Sequence, residues 1–111
     1  MDTALLVCEK WLEESQAQRD ELAVFAKQPV LDINEAIQKS AEVSIMEARA
    51  VRIMSGLMAH YTLRSRGAYP SNSVDERKVI VKDQVADFQF ILDSISVTSR
   101  ILRDRIYHNP R

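Results

Sequence analysis

The sequence predicts an all-α fold: three long antiparallel helices in an up-down-up bundle, assembled into a homo-oligomer. Three observations lead there. The 111 residues include only 2 Gly and 3 Pro, too few to turn the chain as often as antiparallel sheets require. Apolar residues recur at steps of three, four and seven, the period of helices with a face turned to a core. Pro29 and the segment 67–72, with Gly67 and Pro70, divide the chain into three long stretches. Hydrophobic residues make up 46% and charged residues 28%, which excludes disorder on composition. A chain of this length supports one domain, residues 1–111, with one core.

The first helix is predicted over residues 3–27. Its apolar line is Leu5, Cys8, Leu12, Leu22 and Ala26, flanked by Trp11 and Phe25 and interrupted by Ser15, Gln18 and Arg19. Pro29 ends it, because proline disfavours helix at the residue before it.

The second helix is predicted over residues 32–66. Asp32 and Glu35 have the spacing of a capping box, and Leu31 can serve as its hydrophobic staple. The apolar arc contains Ala36, Val43, Met46, Ala50, Val51, Ile53, Met54, Leu57, Met58 and Tyr61. It spans about 160° of the helix, wide enough for two neighbours. One edge carries the small residues Ala41, Ser44, Ala48 and Ser55 at heptad-like spacing, which let a neighbouring helix come close. Gly67 is expected to supply a left-handed cap, and Pro70 blocks continuation.

The third helix is predicted over residues 73–107, opened by a second capping box, Ser73 with Glu76. It is apolar on two opposite faces. One stripe is Val74, Val81, Val85, Phe88, Leu92, Ile95, Leu102 and Ile106; the other is Val79, Ala86, Phe90, Val97 and Ile101. A helix on the outside of a small bundle needs only one apolar face. The second stripe therefore calls for another neighbour and is the expected partner interface.

Net charge is −1, so no global field selects nucleic acid or a membrane. Residues 1–40 carry 4 basic and 8 acidic side chains, residues 41–72 carry 4 and 2, and residues 73–111 carry 7 and 6, which gives −4, +2 and +1. That division fits bundle surfaces that complement one another. Arginines gather as Arg64 and Arg66 beside the 67–72 segment, and as Arg100, Arg103, Arg105 and Arg111 near the C-terminus. They are candidate basic contacts for phosphates or acidic surfaces, and equally suit the negative ends of helices. Helix direction puts the two clusters at opposite ends of the bundle.

Glu47 falls inside the apolar arc of the second helix, where a carboxylate has to be paired, protonated or turned to an opening. Arg19 interrupts the first helix at a matching level. The expectation is a polar layer of Arg19 and Glu47, with Ser15, Ser44 and Ser99, that sets helix register. No catalytic residue, metal ligand or cofactor site is predicted. His60 and His108 lack the Glu-x-x-His spacing of helical di-metal bundles, and the carboxylates lack the paired spacing of a carboxylate-metal helical hydrolase. Cys8, the one cysteine, permits no internal disulfide and fits a reducing compartment. The opening apolar run is five residues long without a basic leader, so a cytoplasmic protein with no membrane span is expected.

These readings favour a non-enzymatic protein-binding module, an adaptor, chaperone-like protein or inhibitor. It would act by helix docking and self-association, with itself and another protein as partners. The alternatives are a small nucleic-acid-binding or regulatory protein that uses the arginine clusters, and the carboxylate-metal hydrolase.

Overall fold

The computed structural model of the chain describes residues 3–108. All its secondary structure is helical, in four elements: α1 (Thr3–Ala26), α2 (Ile33–Ala68), α3 (Val74–Gln84) and α4 (Ala86–Tyr107). The molecule is a rod of 61 × 27 × 16 Å. α2 is its axis: α1, α3 and α4 all pack against it, α1 also meets α4, and α1 makes no contact with α3 among the described residues.

Both predicted N-terminal caps are present. The Asp32 carboxylate accepts the Glu35 N–H at 2.9 Å, and the Ser73 hydroxyl accepts the Glu76 N–H at 3.2 Å. Each bond satisfies one of the donors a helix start leaves without a partner. Leu31 packs at the edge of the core beside buried Ala36, the placement of a staple.

Two expectations are corrected. Gly67 is not a left-handed cap: no glycine among the described residues has positive φ, and α2 runs through it to Ala68. The Tyr69 N–H closes the last turn on the Ser65 carbonyl at 2.8 Å, and Pro70 then bars helix. The third helix is also divided. α3 stops at Gln84 and α4 starts at Ala86, with Val85 between them at φ −98°, ψ 4°. Neither Gly nor Pro stands there, so packing has to place the break. Val81, Val85 and Phe88 are all buried; α3 packs on α2 and touches α4, and α4 packs on both α1 and α2. Local charge suits the division: Lys82 lies in the last turn of α3 and Asp87 in the first turn of α4.

The core runs through Trp11, Leu22 and Phe25 of α1, Val43, Met46, Ala50, Ile53 and Leu57 of α2, and Phe88, Ile95 and Leu102 of α4. Trp11 and Phe88 stack at a tilt of 58° with centroids 5.9 Å apart, joining α1 to α4. Of the three α2 methionines, Met46 and Met54 fill this core and Met58 is 40% exposed. Cys8 is a buried free thiol; burial pushes its pKa up and neighbouring Glu9 adds to the rise. Lys39 ties α2 to α1, its Nζ 3.2 Å from Glu21 Oε1 and 3.7 Å from Glu42. The hydrogen bond to Glu21 raises the ammonium pKa, so this contribution is complete below the usual lysine value and is lost as pH climbs through the raised one.

A Cβ built on Gly56 would lie 4.0 Å from that of Ala4, which puts the start of α1 level with Gly56. Toward its C-terminal end α2 packs against α3. Leu57, Ser65 and Val81 are buried there, while Leu63, Val74 and Val79 stay exposed.

Candidate protein-docking surface

α4 turns Phe88, Ile95, Ser99 and Leu102 inward, all buried. At about 100° per residue, positions 86, 90, 97 and 101 lie within about 60° of one another on the opposite side. Phe90 is 73% exposed and Val97 41%, Ala86 is exposed, and Ile101 is half-buried against the core edge. Val79 is 68% exposed but belongs to α3, beyond the break at Val85, so the five predicted interface residues are shared between two helices.

Polar side chains around Phe90 are satisfied within α4. The Ser94 hydroxyl donates to the Phe90 carbonyl at 2.9 Å, Thr98 donates to the Ser94 carbonyl at 3.1 Å, and Gln89 donates to Asp93 at 2.8 Å. Hydroxyls folded back on their own helix make little demand on water. The outer face of α4 can therefore be covered at low polar cost.

Depressions flank this face. One of about 210 Å³ lies between α1 and α4, with Arg19, Leu22, Met46, Phe90 and Thr98 in its walls. Another of about 340 Å³ lies between α2 and α4, with Glu47, Asp93, Ser96, Val97, Arg100 and Arg103. A larger open cleft of about 750 Å³ separates α1 from α2, with Val7, Trp11, Ile45 and Ile53 as its apolar part and Lys10, Glu14, Arg49 and Arg52 as its charged part.

The structure sets Arg19 and Glu47 apart rather than pairing them as one layer. Arg19 stays on its own helix: Nε donates to the Ser15 hydroxyl at 3.0 Å, a terminal nitrogen donates to the Leu12 carbonyl at 2.9 Å, and the guanidinium carbon lies 5.9 Å from the Trp11 ring centre. Glu47 accepts from the Ser96 hydroxyl of α4 at 2.5 Å. Ser99 is buried, but Ser44 is exposed and takes no part. A wheel drawn on α2 alone could not reveal that α4 would offer Ser96 first.

Glu47→Leu tests what that bond does. The expected result is stability unchanged or raised by up to about 1 kcal/mol, because Ser96 can turn back onto its own helix and the half-buried site accepts an apolar side chain. A loss above about 2 kcal/mol in urea unfolding would instead make the bond the tie between α2 and α4.

Of the predicted basic contacts, Arg105 is committed to the fold. It donates to the carbonyls of Ala26, Gln28 and Pro29, the first at 2.9 Å and the last at 3.1 Å. Arg100 and Arg103 are exposed beside Glu47 and Asp93. Arg64 and Arg66 are exposed at the far end of α2. Arg111 lies outside the described residues. His60 sits near the far end of α2 and His108 caps α4. Among the described residues, no three His, Cys, Asp or Glu side chains gather as a metal site, and no helix is long and apolar enough to cross a membrane.

No protein-family model, curated protein or solved structure matches this chain, so the functional argument rests on its own residues.

Proposed function

We propose that this chain is a non-enzymatic protein-binding module, of the adaptor, chaperone-like or inhibitor kind, that docks an apolar helix on the outer face of α4 and self-associates. The observation that carries the reading is Phe90, 73% exposed at the middle of the stripe of Ala86, Val97 and Ile101. Contiguous apolar exposure on a small protein marks an interaction site. Residues at the i, i+4, i+11 and i+15 positions of a helix present a straight ridge to a partner groove or helix. Burying a phenylalanine there is worth about 1.5–3 kcal/mol, enough to make it the anchor of a moderate-affinity contact. Exposed Arg100 and Arg103 beside the ridge tune which charges a partner can bring.

A photo-crosslinking side chain placed at position 90 tests this in the native cell. It should capture a defined protein that is lost when Val97→Glu is added. The same side chain at Val30, which is 84% exposed but off the α4 face, should not capture it. Equal capture from both positions, or none from position 90, would sink the docking face.

A further inference from the structure

The outer side of α2 carries a line of uncharged residues away from its buried side; Val51 and Met58, expected in the apolar arc, fall on this line because α1, α3 and α4 cover the other side of the helix. From Ile37 the line steps 4-3-4-3-4-3-4 along the chain to Thr62. All eight positions are exposed, including Ile37 at 53%, Val51 at 50% and Met58 at 40%. An alternating 3-4 step is the period of a supercoiled helix pair, and this one continues for about 38 Å of helix. The line is open to solvent along its length, and Ala48 at its middle also borders the cleft between α1 and α2.

The line is its own complement. Its step pattern reads the same in both directions, so a second α2 laid antiparallel matches it about a two-fold axis between residues 49 and 50. The facing numbers then always sum to 99: Ile37 meets Thr62, Ala41 meets Met58, Ser44 meets Ser55, and Ala48 meets Val51. Size compensates in three of the four kinds of layer, a small residue opposite a larger one, and the remaining layer pairs two hydroxyls. A parallel pair would instead stack Ala41 on Ala41 and Met58 on Met58, alternating voids with crowding. Beside the seam, Ile45 is 72% exposed and comes almost level with Arg52 of the second copy, whose aliphatic stem can cover it.

We infer that two copies of this chain dimerise through α2, antiparallel and two-fold symmetric, with Ala48 opposite Val51 at the centre. The inference rests on the reading that the chain self-associates and assigns that association to a surface other than the α4 ridge. The two docking functions then do not compete, and the dimer presents two α4 faces at once. An isologous contact of this kind closes on itself and stops at two copies.

Cysteine pairing reads the register directly. In a Cys8→Ala background, whose fold is checked by circular dichroism, Ser44→Cys and Ser55→Cys chains are oxidised separately and mixed. Within an antiparallel dimer, like positions 44 and 44 lie about 16 Å apart along the axis, beyond the roughly 7 Å reach of a disulfide between Cα atoms, whereas 44 and 55 are opposite. The expected result is a disulfide-linked dimer from the mixture and none from either chain alone. Ala48→Arg should halve the mass of the wild-type species in sedimentation, with helicity kept, and Phe90→Glu should leave that mass unchanged. Cross-linking of Ser44→Cys with itself, or a dimer without any 44–55 disulfide, would overturn the antiparallel seam while self-association stands. A dimer abolished by Phe90→Glu but not by Ala48→Arg would move the interface to α4. A wild type that sediments as a monomer up to its solubility limit would overturn both the seam and self-association, leaving the α4 face to its own test.

Discussion

Leu102→Ala should lower the unfolding free energy by about 3–4 kcal/mol, the usual cost of removing a fully buried leucine and leaving a void. Leu102 is 0% exposed, and with Leu22, Val43 and Ser99 it is among the largest side chains that are fully buried. A rod 16 Å across in its thin direction has few such positions, and each carries a large share of the packing. A domain of this size is held by about 5–15 kcal/mol in total, so the variant should unfold markedly earlier in urea. Val97→Ala on the opposite side of α4 is the comparison. At 41% exposure it should cost under about 0.5 kcal/mol. A Leu102→Ala loss below about 1 kcal/mol would mean that α4 is not seated on the core in solution.

Arg105→Met should cost about 1.5–3 kcal/mol, the range for hydrogen bonds that involve a charged group. Its guanidinium bridges the carbonyls of Ala26, Gln28 and Pro29, where α1 ends and the chain turns toward α2. Those carbonyls lie at the negative end of α1, so charge and hydrogen bonding favour the same contact. Three acceptors spread over four residues suit a planar fork with several fixed donors. Arg105→Lys, with one compact ammonium, should recover less than half of the loss. Partner binding at Phe90 should persist in both variants after correction for the unfolded fraction. If Arg105→Met leaves stability unchanged but abolishes binding, Arg105 is a partner contact and not a staple of the turn.

Arg105 also illustrates what a single sequence conceals. Its type and its place near a helix end suggested attraction to a helix terminus or to an outside anion. Which of these holds depends on a segment 76–79 residues away in the chain. Arg19 and Glu47 are a similar case. Both were legible as polar interruptions of apolar lines, but each found a nearer partner, Ser15 and Ser96, than the other. A long side chain takes the first good geometry within reach, and wheel positions do not rank such options. The exposed α4 ridge was legible because period and helix type alone place Phe90 opposite Phe88 and Leu102.

Helical class, both side-chain caps, the inward stripe of α4 and the outward ridge are legible in the residues alone, because they follow from neighbours three to seven positions apart. That the third helix divides at Val85 and that α2 runs through Gly67 came only with the packed structure. Those features depend on how far one helix extends along another. Local propensity is too weak, at under about 1 kcal/mol per residue, to oppose the burial of Val81, Val85 and Phe88.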